Sequence, residues 1–149
     1  MNFIIKTFSE LSTSELYQIL QLRAAVFVVE QNCVYQDIDF KDQKALHIFA
    51  YKENEIIAYS RIFKPGDYFS NASIGRVVIK KSERNFGYGH LLMSASIKAI
   101  KSKFNLNTIT ISAQQYLTNF YESHLFKQVG ESYLEDGIPH IKMIREKDA

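Results

Sequence analysis

Apolar and polar positions alternate along the chain in a way that divides it into short, distinct elements. Phe3, Ile4, Ile5 and Phe8 concentrate apolar character in residues 2–8, which predicts a first strand. Ser12-Thr13-Ser14-Glu15 then has the form of a capping box, in which the Ser12 oxygen accepts from the Glu15 N–H and the Glu15 carboxylate reaches back to the cap. The helix it opens sets Leu16, Ile19, Leu20 and Phe27 along one stripe and is expected to run to about Val29. Residues 31–45 lose that period and read as a loop or a short broken helix. Leu46 to Tyr51 and Ile56 to Phe63, joined by Glu53-Asn54-Glu55, predict a hairpin. Pro65-Gly66 marks a loop, and Ala72 to Ile79 is the next strand, ended by the charged stretch Lys80 to Arg84. A second helix spans Gly87 to about Lys101, with Leu91, Leu92, Ala95, Ile97, Ala99 and Ile100 as its buried face. A strand at Thr108 to Ser112, a helix at Leu117 to His124 and strands at Phe126 to Val129 and His140 to Ile144 complete the order β-α-β-β-β-α-β-α-β-β. That order describes one α/β domain with a mixed sheet.

Composition narrows the class. With 149 residues, 46% hydrophobic and 23% charged, the chain is long enough for one core that needs no metal or disulfide. Cys33 is the only cysteine, so neither an internal disulfide nor a cysteine metal cluster can form, and the four scattered histidines define no metal site. The longest apolar run, Ala24 to Val29, is far too short to span a bilayer, and the first residues do not read as a signal peptide. A cytoplasmic protein without membrane or nucleic-acid partners is therefore expected. The net charge of +2 hides a division: residues 30–42 carry −3 and the rest of the chain +5.

The positive side gathers around one motif. A strand ending Val77-Val78-Ile79 feeds Arg84-Asn85-Phe86-Gly87-Tyr88-Gly89 and then a helix start. Unpaired N–H groups at a helix N-terminus, with glycine letting the backbone approach closely, form a phosphate cradle. Lys80, Lys81 and Arg84 add matching charge. A dinucleotide fingerprint fits less well, because Leu92 stands where its third glycine belongs.

Arg84-x-x-Gly87-x-Gly89 after that strand resembles the acetyl-CoA signature of the GNAT superfamily of N-acetyltransferases, and Asn119-Phe120-Tyr121 resembles its second cofactor-side motif. The run from Leu22 to Asp39 and the string Glu135-Asp136-Gly137-Ile138-Pro139-His140 are similar to the ElaA-type branch. The resemblance covers nearly the whole chain. It implies a single N-acetyltransferase domain over residues 1–149, whose mixed, mostly antiparallel sheet of about six to seven strands has a splayed central pair flanked by helices. It also implies acetyl-CoA as cofactor. Val77, Val78 and Ile79 would pair with the pantetheine arm, and Arg84, Asn85, Gly87, Tyr88, Gly89 and His90 would surround the pyrophosphate, with Asn119 nearby. Tyr121 matches the tyrosine that protonates the departing thiolate. Two departures stand out: Leu125-Phe126 replaces the usual Gly-Phe after that tyrosine, and Gln114 or Gln115 replaces an asparagine expected before the helix.

Acyl transfer to an amine also needs a neutral amine and a place to hold it. The acidic stretch with Glu30, Asp37, Asp39 and Asp42 is the candidate acceptor side, with Glu30 as candidate base and Asp37, Asp39, Arg76 and His140 as candidate acceptor contacts. A solvated acidic loop is the alternative, and for Arg61 and Arg76 structural ion pairing, with the acidic loop as partner, is the favoured reading. The expected activity is direct transfer of an acetyl group to a primary amine on a small molecule or peptide by a monomer or homodimer. A non-catalytic CoA-binding or regulatory module is the alternative.

Overall fold

Ser12 Oγ accepts from the Glu15 N–H at 3.0 Å and Glu15 Oε1 accepts from the Ser12 N–H at 2.8 Å, so α1 (Thr13–Arg23) starts where its capping box dictates. The α-helical ladder ends at Arg23, and Ala24–Glu30 continues as a π-helical segment. Gln31 N–H reaches Val26 O and Cys33 N–H reaches Val28 O, a spacing of five residues. This wider winding buries Val26 and leaves Val29 exposed at the end of the predicted helix.

The computed structural model describes residues 1–146. Its strands are β1 (Ile4–Thr7), β2 (Leu46–Lys52), β3 (Glu55–Phe63), β4 (Ala72–Ile79), β5 (Ile109–Gln114), β6 (Lys127–Glu135) and β7 (Ile138–Arg145). The remaining helices are α2 (Tyr88–Phe104) and α3 (Thr118–Glu122). All seven strands form one sheet in the order β1-β2-β3-β4-β5-β7-β6. Every neighbouring pair is antiparallel except β4 and β5. The last hairpin is longer than its apolar pattern predicts, because β6 is exposed along almost its whole length and carries no burial period.

One face of the sheet packs against α2, where Leu92, Met93, Ala99 and Ile100 meet Ile48, Ala58, Ile62 and Ile111. Leu91, expected in that stripe, is 46% exposed; the helix turns Met93 and Ser96 inward instead. Ser96 Oγ is satisfied by Leu92 O at 2.8 Å and Ser60 Oγ at 2.7 Å. On the opposite face, Ile19, Leu22 and Val26 cover Phe49, Ile56, Tyr59 and Val78. No helix among the described residues is long and apolar enough to cross a membrane.

Candidate active site

β4 and β5 pair only at Ala72–Ile109 and Ser73–Thr110. Beyond those two pairs the facing edges of residues 74–79 and 111–114 have no partner strand, so the sheet opens in its middle. Val77, Val78 and Ile79 lie on the open stretch of β4, while their other edge stays paired to β3 through Val78–Tyr59 and Ile79–Ala58. Tyr59 faces Val78 and Arg61 faces Gly75, so Ser60 alone opposes both Arg76 and Val77. This is a β-bulge, and Arg76 takes the left-handed conformation within it, with φ of +49°. Such a conformation in a residue with a side chain is strained and needs the surroundings to hold it.

The surroundings are a closed ring of alternating charges. Arg23 pairs with Asp37 at 3.0 Å and Asp42 at 2.8 Å. Asp42 continues to Arg61 at 2.8 Å, and Arg61 to Asp39 at 2.6 Å. Arg76 closes the circle, 3.4 Å from Asp39 and 2.8 Å from Asp37. Tyr35 donates to Asp37 at 2.7 Å and lies beneath the Arg76 guanidinium. Arg23 and Arg61 are 0% and 1% exposed, so their charges require this matching. The acidic loop expected to present free negative charge to an amine therefore does not: Asp37, Asp39 and Asp42 each face two arginines. His47, which no sequence pattern singled out, supports the ring from below. It bridges the Tyr59 hydroxyl at 2.7 Å and Asp42 O at 2.9 Å, and burial pushes its pKa down.

At the C-terminal end of β4 the glycine loop turns into α2. Asn85 and Gly87 both take positive φ, +72° and +78°. Gly87 caps the helix without a side chain, and the first ladder bond runs from Leu91 N–H to Gly87 O at 3.3 Å. The N–H groups of Tyr88, Gly89 and His90 thus precede the ladder and point out of the helix start. Gly89 also allows a close approach: a side chain there would meet Phe120 at 3.4 Å. Arg84 does not reach freely toward this cradle. Its Nε donates to Ile79 O at 3.1 Å, and its guanidinium grips the Glu30 carboxylate. His90 Nδ1 lies 2.9 Å from His124 Nε2, joining the start of α2 to the second residue past α3.

α3 brings Tyr121 inward, 7% exposed, with its ring edge-on to Phe120 and Phe126. Its hydroxyl has no hydrogen-bond partner among the described residues, and burial pushes its pKa well above that of a free tyrosine. Asn119 is exposed on the first turn of the same helix. His140, on β7, places Nδ1 2.7 Å from Ile138 O and Nε2 3.3 Å from Glu135 Oε2. Ser112 Oγ donates to Glu135 at 3.2 Å and meets the Tyr133 hydroxyl. Glu135 is thus the carboxylate that the cleft leaves without an arginine, and nothing but its place in a longer string marked it beforehand. The sequence-predicted residues accordingly fall into two groups, a cradle with Tyr121 on the α2 side and the ring with Arg76 on the α1 side, while His140 stands apart from both beside Glu135. Cys33 is buried, with Sγ 3.3 Å from Asp136 O. A cavity of about 340 Å³ between Ser94, Lys98, Asn107 and Leu125 contains none of the sequence-predicted site residues.

This architecture recurs in known proteins. Residues 10–147 match the family model of the acetyltransferase (GNAT) domain. The protein ElaA of Escherichia coli is 47% identical over 140 residues, covering 93% of this chain and 92% of its own. Its crystal structure superimposes with a TM-score of 0.90 at 43% identity, covering 98% of this chain and 100% of that one. An acyl-CoA N-acyltransferase from Pseudomonas aeruginosa gives a TM-score of 0.92 at 38% identity, covering 97% and 98% of the two chains. An aminoglycoside 6'-N-acetyltransferase complexed with coenzyme A shares the fold, with a TM-score of 0.70 at 16% identity over 95% of each chain. The ordered cradle, the opened sheet and these likenesses together place the chain in the GNAT family of N-acetyltransferases, in its ElaA branch.

Proposed function

We propose that the protein transfers an acetyl group from acetyl-CoA to a primary amine directly, with both reactants held across the opened sheet. The observation that carries this reading is the loss of β4–β5 pairing after Ser73–Thr110, beside a helix start whose N–H groups have no side-chain cap. The unpaired edge at Val77, Val78 and Ile79 offers backbone groups to an amide-bearing arm, and Tyr88, Gly89 and His90 offer N–H groups to a pyrophosphate. When bound, acetyl-CoA supplies the acyl group as an activated thioester. The chain holds the carbonyl beside the β4 edge, where a backbone N–H polarises it. Burial keeps Tyr121 protonated, so its hydroxyl has a proton to give to a departing sulfur. Glu30 is bound to Arg84, which lowers its pKa and makes it a poor base, so it serves as a tether of the cradle. Asp37, Asp39 and Arg76 shape the acceptor side through the bulge instead of binding the amine by charge.

The test combines binding with turnover. Acetyl-CoA at a hundred times its Kd should stabilise the fold by about 2.7 kcal/mol, seen as a rise of several degrees in Tm. Thiol release in the presence of primary amines should follow, and Tyr121→Phe should lower kcat by about a hundredfold while leaving that rise in place. No rise with acetyl-CoA overturns the reading. A rise without thiol release leaves a binding module.

A further inference from the structure

On the α1 side of the opened sheet, a small cavity of about 50 Å³ lies between β4, β5 and the loop after β3. Arg61, Ser73, Gly75, Tyr68, Ser112 and Glu135 are among its walls. Two polar atoms of these residues are buried without a hydrogen-bond partner among the described residues, Arg61 Nε and Ser73 Oγ, in residues that are 1% and 2% exposed. Buried polar groups in a native fold are rarely left so, and two beside one cavity mark a place for something to bind. The Arg61 guanidinium stands over Phe63 and Tyr68, at 5.1 and 5.9 Å, with its two terminal nitrogens engaged by Asp39 and Asp42. Only Nε is left. Gly75 lies beside it: a Cβ there would stand 4.0 Å from Nε, in ordinary contact.

The chemistry of the walls selects the ligand. Arg61 Nε can only donate, and Ser73 Oγ has one proton to give. Two donors suit one carbonyl oxygen with its two lone pairs. Arg61 and Arg76 are already matched by the aspartates of the ring, so the charge left on the cavity wall is the Glu135 carboxylate. That charge reaches the cavity's far wall, where burial and then Glu135 raise the pKa of Tyr68. A carboxylate ligand would be repelled here, whereas a cationic amine would be drawn in.

We propose that this cavity receives a neutral carbonyl oxygen next to the reacting amine, so that the acceptor is an α-amino amide, the chemistry of a peptide amino terminus. The inference rests on the acetyl-transfer reading and specifies its acceptor. Ser73 and Arg61 hold the carbonyl oxygen, and Glu135, steadied by Ser112 and His140, faces the amine.

Alaninamide, alanine and 2-aminopropane present a similar amine beside a neutral carbonyl, a carboxylate and no oxygen at all. Thiol release from acetyl-CoA is measured with each, and kcat/KM is expressed per neutral amine. Alaninamide should exceed both of the others by about tenfold, the worth of one to two buried hydrogen bonds. Ser73→Ala should bring that ratio down to about twofold through a higher KM for alaninamide, while its acetyl-CoA-induced rise in Tm shows that it is folded. Equal values for alaninamide and 2-aminopropane, or a preference for alanine, overturn the inference and leave amine acetylation standing. Thiol release with none of the three, although acetyl-CoA binds, overturns acetyl transfer to amines and the inference with it.

Discussion

Arg84 and Glu30 meet in a two-pronged ion pair, Nη1 to Oε2 at 2.6 Å and Nη2 to Oε1 at 2.9 Å, across 54 positions of sequence. Their types suggested two separate jobs, phosphate binding for one and proton abstraction for the other. Their contact instead ties the end of the π-helical segment to the cradle loop and offsets the positive charge that the loop would otherwise present. Glu30→Gln should release that charge. The Kd for acetyl-CoA, measured by calorimetry at low salt, should then fall by about three- to tenfold, with the gain shrinking at high ionic strength. Stability should change by less than about 1 kcal/mol, since the pair is partly exposed. Weaker binding in Glu30→Gln would mean that the tether orders the loop more than it neutralises it.

The ring of three arginines and three aspartates sets a pH dependence. Burial alone would raise the Asp39 pKa, but the hydrogen bonds and charge of Arg61, followed by the charge of Arg76, bring it from 3.8 to about 2. A carboxyl whose folded pKa is depressed contributes stability that is present above its unfolded pKa and lost as pH falls through the folded value. Urea midpoints should therefore drop between pH 4 and pH 2. Asp39→Asn should cost about 3 kcal/mol at neutral pH, because it leaves buried arginine charge without a partner, and it should flatten the acid limb. An unchanged limb would place the acid sensitivity elsewhere.

The order of elements was legible from periodicity, because enough apolar positions recur at helix and strand spacing to mark each element, even though Arg23, Ser96, Ser60 and Arg61 interrupt the buried faces. The cradle was legible for a similar local reason: glycines at 87 and 89 sit between a strand and a helix. The acceptor side was legible only in part: ion pairs from Arg61 and Arg76 to the acidic loop were expected, the closed ring with Arg23 was not. Residues 30–42 show a run of carboxylates, and the arginines that neutralise them come from positions 23, 61 and 76, brought together by the end of α1 and the register of β3 and β4. The bulge at Arg76 depends on one extra residue opposite Ser60, a feature of pairing that no single strand displays. Glu135 stayed hidden because β6 is an exposed strand whose pattern carries no burial signal.

His90 and His124 share one hydrogen bond through Nδ1 and Nε2 at 2.9 Å, which needs a proton on one nitrogen and a lone pair on the other. Protonating both rings would set two donors against each other. Burial, followed by the His90 and Arg145 charges, holds the His124 pKa below its ordinary 6.5. The unfolded chain then binds the proton more readily, so stability should rise with pH through the range around and below 6.5 and level off above it. His124→Asn should reduce that slope, leaving the part that buried His47 contributes and the acid limb set by Asp39. The check is the pH dependence of the urea midpoint between pH 5 and 8; a slope unchanged by the substitution would exclude this pair as a source of it.

Leu125 occupies the position where the family pattern has glycine, and it takes the glycine conformation, with φ of +71°. Phe126 N–H reaches back to Tyr121 O at 3.2 Å and Leu125 N–H to Glu122 O at 2.9 Å, the two bonds of a Schellman ending. The accompanying apolar contact is between the Phe126 and Tyr121 rings, 6.0 Å apart. A left-handed turn thus closes α3 and clamps the candidate acid, at a strain of about 1–2 kcal/mol in a residue with a β-carbon. Leu125 is 40% exposed, so little burial is at stake. Leu125→Gly should raise stability by about 0.5–1 kcal/mol, or about 1–4 °C in Tm, once the greater chain entropy of glycine is counted. Leu125→Val should lower it, because branching at Cβ crowds the turn further. Differential scanning calorimetry of both variants decides the matter: a destabilised Leu125→Gly would show that leucine packing, and not the backbone turn, holds Tyr121 in place.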